Sequence, residues 1–311
     1  MDMIRAEAEV VVWPEPERPP GRDALMEQVR GVDGLLCLLT DRIDAEVIGA
    51  ADKLRVISNY AVGHDNIDVA AASARKILVC NTPGILTETT ADLAWALIMA
   101  AARRVVQADG YLRAGKWQSW SPQLMLGQDV YGATLGLVGL GRIGQAVARR
   151  AKGFGMRLLY HDVVRKSEAE QELGAEFAEL PDLLRASDIV SLHAPLTEET
   201  HHLIGPAELT LMKPTAIFIN SARGPLVHQR ALAAALREGR IFAAGLDVYD
   251  VEPLTPDDPF LELDNVVLLP HIGSASVATR GRMATTAAEN LLAGLRGERP
   301  RHLVNPEVLS S

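Results

Sequence analysis

Short apolar runs alternate with helical stretches along most of the chain, and this rhythm predicts an α/β protein built on parallel sheets. Two further observations refine the class. At 311 residues the chain is long enough for two domains with buried cores. Near its middle, the apolar run Thr134–Val138 passes through Gly139, Gly141 and Gly144 into a small-residue helix, the strand–turn–helix of a doubly wound sheet. Two α/β domains are therefore expected, the larger one doubly wound.

Composition sets the outer limits. A chain that is 48% hydrophobic and 23% charged has the balance of a soluble globular protein. A formal charge of -9 and a pI near 5.4 argue against a general nucleic-acid or membrane-surface binder. Cys37 and Cys80 lie in apolar runs without metal or redox spacing. They read as small core residues in a reducing compartment, and no metal site is expected. The longest apolar run, Ala91 to Ala102, contains Asp92 and is too short to span a bilayer. No charged-then-apolar signal opens the chain, so a cytoplasmic protein is expected.

In chain order, Val10 to Trp13 reads as a strand and Pro14 to Pro20 as a proline-rich connection. Arg22 to Arg30 reads as a helix, and Gly34 to Leu39, Leu54 to Asn59 and Ile77 to Asn81 as strands. The backbone amides of Val62 and Gly63, just past a strand, either hold a carboxylate in a small nest or belong to an ordinary left-handed turn. Asn81 to Gly84 reads as a hinge. An apolar helix then runs from Thr87 to Arg104, and its composition requires burial inside the molecule or against a second subunit. Trp117 and Trp120 sit in a loop from Lys116 to Leu126, as at an interface or pocket wall. Further strands are expected at 156–161, 189–193, 216–220, 243–248 and 266–269, with helices at 166–173, 181–186 and 282–295.

The three glycines have separate tasks. Gly139 permits the tight turn, Gly141 lets the backbone approach a pyrophosphate, and Gly144 allows close packing of helix on strand. The next strand ends at Asp162, at the spacing of an acid that bonds a ribose hydroxyl. Together these features predict a Rossmann-type dinucleotide site.

Arg223, Glu252 and His271 each follow a strand of the same sheet, on the side where doubly wound sheets bind ligands. Reduction of a 2-keto acid needs a cation for the carboxylate and carbonyl, and a proton donor for the developing alkoxide. Arg223 offers a permanently charged fork. His271 exchanges a proton near neutral pH, and Glu252 beside it would favour the protonated ring.

The stretches Asn220 to Gly224, Gly245 to Val248 with Glu252-Pro253, and Pro270 to Ser274 resemble the D-isomer-specific 2-hydroxyacid dehydrogenases. Within them the likeness is to the glyoxylate/hydroxypyruvate reductase branch, from about Glu7 to the end. It is supported by Val62 to Asp68, Leu86 to Ala94, Gly139 to Gln145 and Asn290 to Glu298. The resemblance implies that Arg223 orients substrate, Glu252 supports the histidine, and His271 is the general acid/base. It implies substrate contacts from Val62, Gly63, Arg223, His271 and Ser274. Cofactor contacts are assigned to Gly139, Leu140, Gly141, Arg142, Ile143, Gly144, Asp162, Pro195, Ser221, Ala222, Arg223, Asp247, His271 and Gly273, with Asp247 near the nicotinamide amide. A flavodoxin-like substrate domain, residues 1–82 with 275–311, and a cofactor domain, residues 83–274, are implied, as is a homodimer through the cofactor domains. The implied reaction reduces glyoxylate or hydroxypyruvate to the D-hydroxy acid. The alternatives are a bulkier 2-keto acid, or a non-catalytic dinucleotide-sensing protein on the same fold.

Two departures from the family pattern stand out. Users of NADP tend to carry a small residue and then an arginine where this chain has Asp162-Val163-Val164, so NADH is expected to be preferred over NADPH, a preference softened by Arg165 and Lys166. Family members also open with a strand and helix before the segment corresponding to Ala6 to Trp13. Here Met1 falls within that helix, so the small domain is expected to lack its first strand and to lose stability.

Overall fold

The computed structural model describes residues 1–15 and 18–310, and the chain divides into two compact units, Met1–Leu86 with Ala275–Ser311, and Thr87–Ser274. In the smaller unit α1 (Asp2–Arg5) and α2 (Arg22–Gln28) precede β1 (Gly34–Cys37). Then come α3 (Ala45–Ala50), β2 (Val56–Asn59), α4 (Val69–Ala74) and β3 (Leu78–Cys80). The three strands pair in parallel in the order β1-β2-β3. Alternation along β2 feeds two core layers, with Ile57 packed among Val29, Val47 and Val79, and Val56 beside Ile4, Leu78 and Leu291.

The strand expected at Val10 to Trp13 does not form. Val10 packs on the core, but Val11 is 72% exposed and the segment joins no ladder. Three consecutive valines carry the local preference for extended backbone, yet a strand needs a partner for its N–H and C=O groups. In the proline-rich connection Pro16 and Glu17 lie outside the described residues.

The larger unit opens with α5 (Thr87–Ala102) and α6 (Val105–Arg113). Its strands are β4 (Thr134–Val138), β5 (Arg157–His161), β6 (Ala175–Phe177), β7 (Ile189–Leu192), β8 (Ile217–Asn220), β9 (Ala243–Leu246) and β10 (Val266–Leu268). Between them lie α7 (Arg142–Ala151), α8 (Ser167–Leu173), α9 (Leu180–Ala186), α10 (Pro206–Leu211) and α11 (Gln229–Arg237). All pairings are parallel, in the order β10-β9-β8-β7-β4-β5-β6. That order reverses between β4 and β7, which makes their carboxyl ends the switch point where such sheets take ligands.

Helix α5 is buried within this unit, with Ala94, Leu97, Ile98 and Ala101 against Leu135, Ile217 and Ile219. Phe218, between the two isoleucines, faces the opposite layer with Val190 and Leu246. The tryptophan loop is different: Trp117 is 56% exposed and Trp120 79%, so neither lines a pocket wall in this chain.

The chain returns to the smaller unit in α12 (Val277–Leu295), five residues longer at its start than the sequence expectation. Ser276 caps its first turn by accepting from the Thr279 N–H at 3.2 Å. A Cβ on Gly294 would stand 2.6 Å from a Val56 methyl, so the helix approaches β2 closely at that point. Among the described residues no helix is long and apolar enough to cross a membrane.

Leu97 is 1% exposed at the centre of the α5 layer. Leu97→Ala should destabilise the larger unit by about 2–5 kcal/mol, seen as a lower denaturant midpoint with the slope unchanged.

Candidate active site

The turn after β4 is built as its glycines predict. Gly139 has φ +95°, and a Cβ there would stand 2.7 Å from the Ala194 nitrogen in the segment leaving β7. A Cβ on Gly144 would stand 2.3 Å from the Gly139 carbonyl oxygen. Gly141 differs, since a Cβ on it would meet nothing within 4 Å. It is the N-cap of α7, and no side chain satisfies that helix start. The exposed turn and bare first-turn N–H groups suit a diphosphate. Arg142 is exposed and Ile143 half-buried, whereas Leu140 has its side chain in the core and offers the site only backbone.

Asp162 follows β5 and joins this turn. Its Oδ2 accepts from the Leu140 N–H at 2.9 Å, and its Oδ1 from the Val164 N–H at 3.3 Å. Both oxygens keep free lone pairs, as a ribose diol requires. Pro195, after β7, is exposed, and its carbonyl accepts from the Thr200 hydroxyl at 2.8 Å. The exit of β8 holds Ser221, whose hydroxyl is buried without a hydrogen-bond partner. A bare helix start, a carboxylate beside it and an orphaned hydroxyl in the same unit fit a dinucleotide.

The Arg223 turn is shaped by Asn220. The Asn220 amide donates to the Arg223 carbonyl at 2.8 Å and its Oδ1 accepts from the Ala222 N–H at 3.0 Å. Arg223 donates from Nη1 to the Ala222 carbonyl at 2.7 Å. Next in sequence, a Cβ on Gly224 would stand only 1.9 Å from the Tyr249 carbonyl carbon. Only glycine permits this approach, which lays the Arg223 turn against the peptide leading to Glu252.

Glu252 and His271 meet directly. His271 Nδ1 lies 2.6 Å from Glu252 Oε2, and Glu252 Oε1 accepts from the Tyr249 N–H at 3.0 Å. Both side chains keep 26% of their surface exposed. A carboxylate this close fixes the proton on Nδ1 and leaves Nε2 as the exchangeable nitrogen. His271 has φ +52°, a left-handed conformation disfavoured for a residue with a Cβ. Asp247 holds it there. The Asp247 carbonyl accepts from the His271 N–H at 3.0 Å, and its carboxylate accepts from the Ile272 and Gly273 N–H groups at 2.7 and 2.8 Å. Burial raises the Asp247 carboxyl above its usual range, against the lowering effect of those two amides. The Thr90 hydroxyl on α5 donates to the Gly273 carbonyl at 3.1 Å, completing the clamp that ends just before Ser274.

Val62 and Gly63 belong to the smaller unit. Their carbonyls accept from the side-chain amides of Asn81 and Asn59, at 2.7 and 2.8 Å. The structure thus brings Glu252 and His271 into contact and sets Arg223 on the neighbouring turn of the same unit.

Sequence reasoning overlooked Asn220, Tyr249, Asn59 and Asn81, which shape loops without presenting a reactive group. An asparagine at a strand end is a signal that could have found three of them. It also overlooked His193 beside the glycine turn, whose imidazole lies 2.9 Å from the Ser191 hydroxyl and which burial pushes down to about 4.

Residues 95–273 match the family model described as the D-isomer specific 2-hydroxyacid dehydrogenase, NAD binding domain. The chain belongs to this dehydrogenase family. A glyoxylate reductase of Korarchaeum cryptofilum is 59% identical over 310 residues, covering 99% of this chain and 93% of the relative. Among solved structures, a protein of Thermus thermophilus superposes with a TM-score of 0.88 at 50% identity, covering 97% of this chain and 95% of that one. An NADPH-dependent glyoxylate/hydroxypyruvate reductase from Sinorhizobium meliloti, in complex with NADP and malonate, gives 0.80 at 35% identity, covering 89% and 85%. The family takes a nicotinamide dinucleotide, and the larger unit is the part of this dehydrogenase that the NAD-binding model covers.

Gly224→Ala should push the Arg223 turn off the Tyr249–Asp250 peptide. Activity should fall at least tenfold and the melting temperature by several degrees, checked by steady-state kinetics and calorimetry; a variant with native activity would show that the close approach is dispensable.

Proposed function

We propose that the protein reduces a small 2-keto acid, glyoxylate or hydroxypyruvate, to the corresponding D-2-hydroxy acid with NADH. The observation that carries this reading is the 2.6 Å contact of Glu252 with His271, one strand away from the Arg223 turn. When bound, the dinucleotide supplies the hydride that reaches the carbonyl carbon. Arg223 holds the substrate carboxylate and polarises the carbonyl with a fork of fixed charge. His271 gives its Nε2 proton to the oxygen as negative charge develops there. Glu252 accepts from Nδ1 and keeps the ring turned toward the substrate. In the smaller unit, the Val62 and Gly63 backbone amides are suited to a carboxylate. The side chains of Asn81 and Asn59 support that reading because they engage the carbonyls of the same two residues. Ser274 lines the substrate side.

The dinucleotide lies over Gly139 to Gly144, with its adenosine ribose on Asp162 and its nicotinamide end toward Ser221, Ala222, Asp247 and Gly273. Pro195 borders it at the exit of β7. A carboxylate at Asp162 bonds a free 2′-hydroxyl and repels a 2′-phosphate, which supports NADH over NADPH. Residues 1–86 with 275–311 serve as the substrate domain and 87–274 as the cofactor domain. The exposed Val105, Val106, Leu112, Trp117 and Trp120 give the larger unit an apolar surface suited to a homodimer through the cofactor domains. The buried free thiols of Cys37 and Cys80 suit a reducing cytoplasm.

Mixing protein, NADH and glyoxylate while following nicotinamide absorbance tests the activity; absence of turnover with either small 2-keto acid would refute it. His271→Ala should lower kcat by about 10²–10⁴-fold while NADH binding, read by fluorescence, stays within twofold. Arg223→Lys should raise KM and lower kcat together, because a point charge does not reproduce the fork. Unchanged constants in that variant would remove Arg223 from the site.

A further inference from the structure

The end of β5 carries charges of both signs. Asp162 is followed three residues later by Arg165, and in sheets of this kind an acid here bonds the ribose 2′-hydroxyl whereas a nearby arginine accommodates a 2′-phosphate. The chain therefore holds the means for either choice, and what decides between them is where the Arg165 fork is directed.

That fork is engaged. Arg165 donates from Nε and Nη2 to the two carboxylate oxygens of Glu170 on α8, at 2.8 and 3.1 Å. Its guanidinium carbon lies 5.9 Å from the centre of the Phe177 ring. Glu170 is in turn fixed from below. Its Oε1 accepts from the Tyr160 hydroxyl at 2.5 Å, and that hydroxyl accepts from the Lys166 N–H at 2.8 Å. Tyr160 is a fully buried residue of β5, so the carboxylate is tied to the same strand that delivers Asp162.

We propose that Glu170 is a cofactor-specificity residue: by holding the Nε–Nη2 edge of Arg165 and neutralising its charge, it denies a 2′-phosphate the cation next to Asp162. Glu170 touches no part of the reacting centre and acts through Arg165 alone. The assignment rests on the reading of Asp162 as the ribose acid, and it deepens that reading by naming what silences the arginine beside it.

The test is calorimetric binding of ADP-ribose and of 2′-phospho-ADP-ribose, at low salt, to the native protein, Glu170→Gln, Glu170→Ala, Arg165→Ala and the Glu170→Ala/Arg165→Ala pair. The glutamine variant can still accept from Tyr160 but loses the charge, so it keeps the local fold. The native protein should prefer the unphosphorylated ligand. Both Glu170 variants should shift the affinity ratio toward the phosphorylated ligand by about fivefold, with ADP-ribose itself little changed. The paired variant should lose that shift, and the NADPH-to-NADH ratio of kcat/KM should move in parallel. A ratio unchanged in both Glu170 variants, or a shift that persists without Arg165, would overturn the assignment while leaving Asp162 in place. A native protein that binds neither ligand, or that prefers the phosphorylated one, would overturn the reading of Asp162 and this proposal with it.

Discussion

The carboxylate of Asp247 has no exposed surface, and an ion removed from water is costly unless its oxygens are bonded. Here each oxygen receives a backbone N–H from the segment just past β10, and the carbonyl of the same residue receives a third. One residue at the end of β9 therefore fixes three consecutive peptides at the end of β10. This clamp sustains the left-handed backbone at His271, a conformation that costs about 1–3 kcal/mol and persists only when its surroundings dictate it. With the backbone held, the imidazole meets Glu252.

The same economy runs across the neighbouring strand ends. The Asn220 side chain closes the turn before Arg223, and the absent side chain of Gly224 lets that turn rest on the Tyr249–Asp250 peptide. The Tyr249 N–H then donates to Glu252, and the Tyr249 hydroxyl donates to the Leu269 carbonyl at 2.8 Å. Burial pushes that phenol well above its ordinary range, so it stays a donor. The candidate groups 48 positions apart in the chain, from 223 to 271, are thus linked by contacts between three adjacent strand exits. Parallel strand order supplies the adjacency, and backbone bonds supply the accuracy.

Much of this was legible in the chain. The strands of the larger sheet show as apolar runs because both faces are covered, and the glycine spacing after β4 has only one economical backbone solution. The carboxyl-end positions of Arg223, Glu252 and His271 followed once those strands were placed. What local pattern misread was Val10 to Trp13, where valine content signals a strand but no neighbour completes it. What it missed has equally physical causes. Helix α11 is capped by His228, whose imidazole accepts from the Ala231 N–H at 3.3 Å, and histidine is not among the residues that announce a helix start. Helix α6 buries none of its residues and so shows no apolar period. Strand β6 is three residues at the sheet edge. The positioning bonds of Asn81 and Asp247 join segments distant in sequence, and no local window contains both ends of such a bond.

The hydrogen bond from the Leu140 amide to Asp162 has an implication for redesign. In the proposed binding mode, the carboxylate that fastens this loop is also the one that would select the sugar, so the two recognition tasks would share a single anchor. Replacing that acid to admit a different coenzyme would also loosen the cradle for the part of the molecule common to both coenzymes. A successful exchange of preference must therefore restore an acceptor for that amide, which places the compensating change in the β4 turn and not at the sugar.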